Sequence, residues 1–243
     1  MPDERPPLGI IMLDTAFPRP PGDVGNAATW PFPIRFARVA GATARRVVGG
    51  DDEDLIEAFV AAGETLKAEG AIGLTTSCGF LAVRQGELAA RLSLPIATSS
   101  LLQIPLIARC LPSGGRVGVI TYDLDALTGR HFEAVGAASD TPRVGLPKGG
   151  HFHRMIEGEG RYERELLEQE VLASVRQLLA ADSRIAALVF ECTNLPPFAA
   201  AVRRTFGLPV FDIVTMATWF YRGLVEREFA NESVENRGEG GGS

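Results

Sequence analysis

The stretch Leu188-Val189-Phe190-Glu191-Cys192-Thr193-Asn194-Leu195-Pro196-Pro197, LVFECTNLPP, decides the fold. An apolar run stops at a thiol, polar residues follow, and a pair of prolines opens the next element. This is the pattern of a buried strand handing over to a helix, with Cys192 at the junction. In open α/β sheets, ligands sit outside the carboxyl ends of the strands. A thiol at that end of a strand stands where chemistry is done.

The same arrangement occurs earlier in the chain. Ala71–Thr75 reads as a strand, Cys78 follows it, and a helix is predicted from about Gly79 to Leu92. A Leu-Pro pair opens the next strand, with Pro95 seventeen residues after Cys78; Pro209 of another Leu-Pro pair lies seventeen residues after Cys192. Two further strands match in the same way. GIIMLD, from Gly9 to Asp14, has the spacing of GVITYD, from Gly118 to Asp123. The chain therefore reads as two related halves, each with one strand-end cysteine.

The remaining strands are predicted at Ile34–Val39, Leu94–Ala97, Pro142–Leu146, Ile185–Phe190 and Leu208–Phe211. Helices are predicted from Asp51 or Asp52 to Glu69, from Ser99 or Ser100 to Leu111, from about Leu124, over 161–181, over Pro196–Phe206 and over 213–229. Strands alternating with helices give parallel sheets covered on both faces. The fold class is α/β: two pseudo-symmetric Rossmann-like lobes, each a parallel sheet flanked by helices, with a cleft between them. The expected division is an arm over 1–7, lobe 1 over 8–112, lobe 2 over 113–212, and a closing helix over 213–229 that packs back on lobe 1. The end, 230–243, with its GEGGGS run, reads as a flexible linker.

Composition narrows the function. The 243 residues are 46% hydrophobic and 22% charged with net charge −6, which suits a folded domain without a basic stripe for nucleic acid. No apolar run reaches the roughly 18 residues of a membrane span. Three cysteines in a chain this long do not suggest a disulfide framework and point to a reducing, cytoplasmic setting. Cys110, in LIARCLP, reads as a small buried structural side chain.

Two loops stand out. Residues 14–33, DTAFPRPPGDVGNAATWPFP, hold five prolines and two glycines, and fit neither helix nor strand. A loop this long in a compact domain is often functional, so Asn26 either serves turn chemistry or helps the loop close over a substrate. The second loop, PKGGHFHRMIEGEG, carries His151 and His153. Their spacing to Glu157 and Glu159 supplies no convincing metal set, and a lid hinged at Gly149-Gly150 is the better reading. His131 is expected on a helix surface.

Each strand-end cysteine is expected to begin a helix. Free backbone N–H groups and the helix dipole should then lower the thiol pKa from its usual ~8.5. If the two thiols face each other across the cleft, one can remove a proton beside a carbonyl or carboxylate and the other can return one to the opposite face. Such chemistry needs no metal or organic cofactor. Thr76, Ser77, Thr121 and Asn194 stand at or beside strand ends, where they could bind a carboxylate or cap helices. Glu191, next to Cys192, should point away from the thiol face if the strand stays extended; burial with a partner and tuning of the thiol are the alternative readings.

TTSCGF (Thr75–Phe80), ECTNLPP (Glu191–Pro197) and GIIMLD together resemble the aspartate/glutamate racemase superfamily, which includes glutamate, aspartate and hydantoin racemases, maleate isomerase and arylmalonate decarboxylase. The resemblance spans roughly 8–225. It implies that Cys78 and Cys192 are an acid/base pair working without a cofactor, that Thr193 helps bind substrate, and that Asp14 is a polar partner near a catalytic thiol. The motifs also depart from glutamate racemases. Gly79 and Phe80 replace Asn-Thr after the first cysteine, and Asn194 replaces a His after the second. Phe80 suggests a partly apolar pocket, suited to a hydrophobic side chain or a hydantoin ring. The implied function is a racemase or epimerase acting on an amino acid or a derivative, with a small carboxylate or amino-acid-like substrate; the apolar closing helix offers a face for a homodimer. A maleate-type isomerase working through a covalent cysteine adduct and a non-catalytic two-lobed binder are the alternatives.

Overall fold

A computed structural model describes residues 5–226; the expected tail, the end of the closing helix and the first four residues of the arm lie outside it. Strands β1 (Leu8–Met12), β2 (Ile34–Arg38), β3 (Leu74–Thr76) and β4 (Ile96–Ala97) form one parallel sheet in the order β2-β1-β3-β4. Strands β5 (Arg116–Thr121), β6 (Arg143–Gly145), β7 (Ile185–Phe190) and β8 (Val210–Phe211) form a second parallel sheet in the order β6-β5-β7-β8. The second order is the first with each number raised by four. Cys78 lies two residues beyond β3, and Cys192 lies two residues beyond β7. The thiols thus occupy equivalent places in the two sheets.

Helices cover the sheets: α1 (Ala44–Val48), α2 (Ile56–Ala68), α3 (Gln85–Arg91), α4 (Ile104–Cys110), α5 (Gly129–Glu133), α6 (His151–Ile156), α7 (Arg164–Ala181), α8 (Pro196–Phe206) and α9 (Ile213–Leu224). β1 is buried along its whole length and β7 nearly so, which explains their unbroken apolar runs. The repeated glycines have a packing reason. A Cβ on Gly9 would lie 2.7 Å from Leu74 and 3.1 Å from Leu66 of α2; one on Gly118 would lie 2.8 Å from Leu178 of α7. Each half needs a bare backbone where its long helix crosses the first strand.

Helix α9 follows the last strand of the second sheet yet packs on the first. Ile213, Met216 and Tyr221 are buried in one cluster with Leu8, Ile10 and Met12, and Tyr221 stacks on Phe32 at 4.0 Å. Burying such side chains stabilises by about 1.5–3 kcal/mol each, so α9 ties the lobes together. The lobes also meet through Ser100 Oγ, which donates to the Phe190 carbonyl at 2.6 Å.

Several local expectations are corrected. The loop expected around His151 contains helix α6. The helix expected from Gly79 begins as a 3-10 turn over Gly79–Arg84. Asp52 precedes a 3-10 turn without capping it; its carboxylate accepts from Arg84 at 2.6 Å instead. Cys110, expected to be buried, is exposed at the end of α4. His131 does lie part-exposed on α5 as expected, with its ring edge against Phe80 at 5.5 Å between centroids. Among the described residues no helix is long and apolar enough to cross a membrane.

Candidate active site

The two thiols line one cavity. Cys78 and Cys192 are 7% and 8% exposed, and Ser77, Gly79, Phe80, Glu191, Thr193 and Asn194 join them in its wall. The cavity at the thiols is about 30 Å³. It shares Thr15, Phe17, Ala44, Val48, Tyr122 and Ile156 with a wider cleft of about 910 Å³. Leu13, Phe17, Val48, Phe80 and Ile156 make much of the inner wall apolar, in keeping with the expectation drawn from Phe80.

Backbone handover from strand to turn positions each thiol. Cys78 is the extended residue before the 3-10 turn, and the N–H groups of Phe80 and Leu81 face its sulfur. Cys192 Sγ donates to Asn194 Oδ1 at 3.5 Å, and the Asn194 N–H also faces the sulfur. These donors favour a thiolate but do not prevail. Burial pushes both thiols above the ordinary thiol range, and the Glu191 carboxyl beside them acts in the same direction. The expected lowering is therefore reversed in the free protein. The turn after Cys78 is short and 3-10, α8 begins four residues after Cys192, and desolvation outweighs what those N–H groups supply.

The long loop 14–33 is bound to the second lobe at this point. Asp23 is 1% exposed and accepts from Asn194 Nδ2 at 2.6 Å and from Arg19 at 2.7 Å. Arg19 also donates to Thr15 Oγ1 at 2.7 Å, and its guanidinium lies 4.5 Å over the Phe17 ring. Arg19, Asp23, Asn194 and Cys192 thus form a continuous chain of polar contacts. Thr193 Oγ1 donates to the Ser77 carbonyl at 2.7 Å, so the residue after one thiol holds the residue before the other.

Not every expected site residue reaches the cavity. Asp14 faces the wider cleft, where it accepts from the Gly41 N–H at 3.0 Å and lies 3.5 Å from Arg38. Asn26 caps the turn over Ala27–Thr29, and its Nδ2 donates to the Arg19 carbonyl at 2.7 Å. Thr76 is buried and donates to the Thr98 carbonyl at 2.7 Å. Thr121 donates to Glu191 Oε2 at 2.7 Å. Their hydroxyls and amide hold the walls in place from behind.

Arg19, Thr15, Phe17 and Tyr122 line the cavity without any local sequence signal that marks them as site residues. Only the proline-rich loop hinted at the first three. Of the readings open for Glu191, burial beside the thiols holds and the one that turned it away from them does not: it is fully buried and lines the thiol cavity. β7 ends at Phe190, so strand alternation no longer governs the next side chain. Glu191 Oε1 has no hydrogen-bond partner among the described residues, and burial pushes this carboxyl up to about 7. His153 turns inward: Nε2 lies 2.8 Å from the Tyr122 carbonyl, and the ring stacks on Tyr122 at 4.2 Å. Among the described residues, no group of three or more His, Cys, Asp or Glu could hold a metal ion.

No family model matches the chain. Curated relatives include a dimethylsulfoniopropionate lyase of Durusdinium, 29% identical over 227 residues covering 90% of this chain and 75% of the relative. Dimethylsulfoniopropionate lyase 7 of Emiliania huxleyi is 28% identical over 234 residues, covering 92% and 68%. Among solved structures, a glycine-to-cysteine variant of arylmalonate decarboxylase in a sulfate-associated form superposes with a TM-score of 0.63 at 19% identity, covering 90% of this chain and 93% of that one. Glutamate racemase of Bacillus anthracis gives 0.57 at 15% identity, covering 91% and 85%. Aspartate racemase of Picrophilus torridus gives 0.57 at 11% identity, covering 91% and 96%. With its doubled sheet order and these neighbours, the chain has the fold of the aspartate/glutamate racemase superfamily.

Proposed function

We propose that the chain is a cysteine-dependent lyase that removes a proton from the carbon beside a carboxylate and expels a β-substituent, with dimethylsulfoniopropionate as substrate. The observation that carries this is the placement of Cys78 and Cys192 on one apolar cavity, in a chain whose curated relatives are lyases of that compound. A thiolate takes the α-proton, the C–H electron pair becomes the carbon–carbon double bond, and the β-carbon–sulfur bond breaks with its electrons going to sulfur. Dimethyl sulfide and acrylate result, and the abstracted proton passes to solvent. No cofactor is required: the N–H groups near both sulfurs are donors for the developing enolate charge. A cationic substrate also lowers the cost of forming a thiolate in a desolvated site. Binding has to widen the 30 Å³ cavity, and a ligand that fills the widened space keeps water out and strengthens each of these interactions.

One observation favours a second reading, inversion at the α-carbon of an amino acid or hydantoin. Elimination needs one base, whereas the structure sets two thiols at equivalent places in the two halves. Dicarboxylic substrates fit less well, because among the described residues Arg19 is the one cationic side chain lining the inner cavity and Asp23 already holds it. The test is headspace gas chromatography of dimethyl sulfide released from dimethylsulfoniopropionate. A parallel panel of single-enantiomer amino acids and hydantoins in deuterium oxide is scored for α-deuterium. Dimethyl sulfide release supports the lyase; deuterium uptake with loss of optical rotation and no dimethyl sulfide supports the racemase.

A further inference from the structure

We infer that Glu191 is the specificity-determining counter-charge of the site, selecting a substrate that carries a cationic group near its carboxylate. The inference deepens, and rests on, the elimination reading of the same cavity. Three observations support it. Glu191 is fully buried and lines the cavity with both thiols, and its Oε1 lacks a hydrogen-bond partner among the described residues. The side chain is held firmly: Thr121 Oγ1 donates to Oε2 at 2.7 Å, and Gly79 leaves bare backbone against Oε1. No Lys or Arg is among the groups that shift its ionisation, where the charged neighbour is Asp123. A buried carboxylate without a counter-ion is costly, and a cationic ligand removes that cost on binding.

The surroundings suit the same ligand. Phe17, Phe80 and Tyr122 line the cavity, and aromatic faces attract sulfonium and quaternary ammonium groups. Among the described residues, the wider cleft is lined by Asp14, Asp123, Glu157 and Glu159 against the single cation Arg45, although Arg38 and Lys148 lie 3.5 Å and 3.8 Å from Asp14 and Asp123. This acidic approach draws cations inward and holds back dianions.

The experiment uses two ligands of one shape that resist elimination: 3-(trimethylammonio)propionate and its uncharged isostere 4,4-dimethylpentanoate. Binding of each to the wild-type chain and to Glu191→Gln is measured by calorimetry near pH 8, alongside dimethyl sulfide release by the wild type. The expected result is a cation preference of at least about tenfold in the wild type, falling to within about threefold in Glu191→Gln, with the isostere binding as well or better. An undiminished preference in Glu191→Gln overturns the inference even if dimethyl sulfide is released. A preference that Glu191→Gln abolishes, with no dimethyl sulfide released, upholds the counter-charge and rejects the lyase. Failure of the wild type to bind either ligand overturns the inference. A second measurement needs no variant: the wild-type preference should shrink at about pH 5.5, where Glu191 is protonated. The groups facing that carboxyl are Thr121, Tyr122, Asp123, Cys78 and Cys192. A preference unchanged between about pH 5.5 and 8.5 overturns the inference as well.

Discussion

Gly79 and Glu191 meet face to face across the lobes. A Cβ on Gly79 would fall well inside contact distance of both the Glu191 carbonyl oxygen and Oε1. The residue after one thiol must therefore be bare so that the residue before the other can lie against it. Gly79→Ala is expected to lose about 1–3 kcal/mol of stability through overpacking, and to lose activity by displacing Glu191. Urea unfolding and turnover check this, and a wild-type-like variant would show that the two backbones separate freely.

Elimination needs one base, so removing the thiol that takes the proton should stop turnover. Cys78→Ser and Cys192→Ser keep the side-chain shape; in the lyase reading at least one of them is expected to lower kcat by about 10²–10⁴, the usual worth of a general base, and in the racemase reading both are. Their melting temperatures should stay near that of the wild type. Cys110→Ser, at an exposed site, should match the wild type in both measurements. Full activity in both of the first two variants would reject a cysteine-dependent lyase, and full activity in either would reject two-base inversion.

Thiol labelling should follow burial. Cys78 and Cys192 are buried with their thiols pushed up, so little thiolate exists near pH 8. Timed alkylation with iodoacetamide, read by peptide mass spectrometry, should modify Cys110 first and the other two slowly until urea is added. Rapid modification of Cys192 in the folded protein would contradict the desolvated setting.

Asp23 joins the long loop to the second lobe, with its side chain 2% exposed and Arg19 14% exposed. Asp23→Ala removes the partner of both Arg19 and Asn194 and is expected to cost about 3–5 kcal/mol, as for a broken buried ion pair. Asn194 would no longer be oriented toward Cys192, so kcat should fall as well. Denaturant midpoints and limited proteolysis within 14–33 measure the effect. An unchanged midpoint would mean that the loop is held by apolar contacts alone.

Glu191 sets a pH signature. Burial raises its carboxyl from 4.5 to about 7 in the folded chain. A group raised on folding favours the folded state while it is protonated. Its contribution is complete below about pH 4.5 and is lost as pH rises through about 7, a change on the order of 3 kcal/mol. Glu191→Gln mimics the protonated form and lacks this dependence. The stability of the wild type relative to Glu191→Gln should therefore decline between about pH 5 and 8; a constant difference would refute the raised carboxyl.

Much of the architecture was legible in the chain itself. β5, β7 and α8 lie where the apolar runs and the Pro-Pro pair put them, because both are buried or bounded by local chemistry that periodicity displays. The short elements were harder. α6 lies in a segment read as a lid, since Phe152 and Met155 are buried and His153 reaches the Tyr122 carbonyl, contacts with no local signature.

The order of residues along the chain determined that two thiols end matching strands of a doubled α/β sheet, because strand ends and helix starts are written in nearest-neighbour chemistry. Tertiary structure alone decided which groups meet there: Asp23 on Asn194, Glu191 against Gly79, Arg19 over Phe17. It also reversed the expected direction of the thiol pKa values. Desolvation depends on walls brought from distant parts of the chain, and no local motif records how completely those walls exclude water.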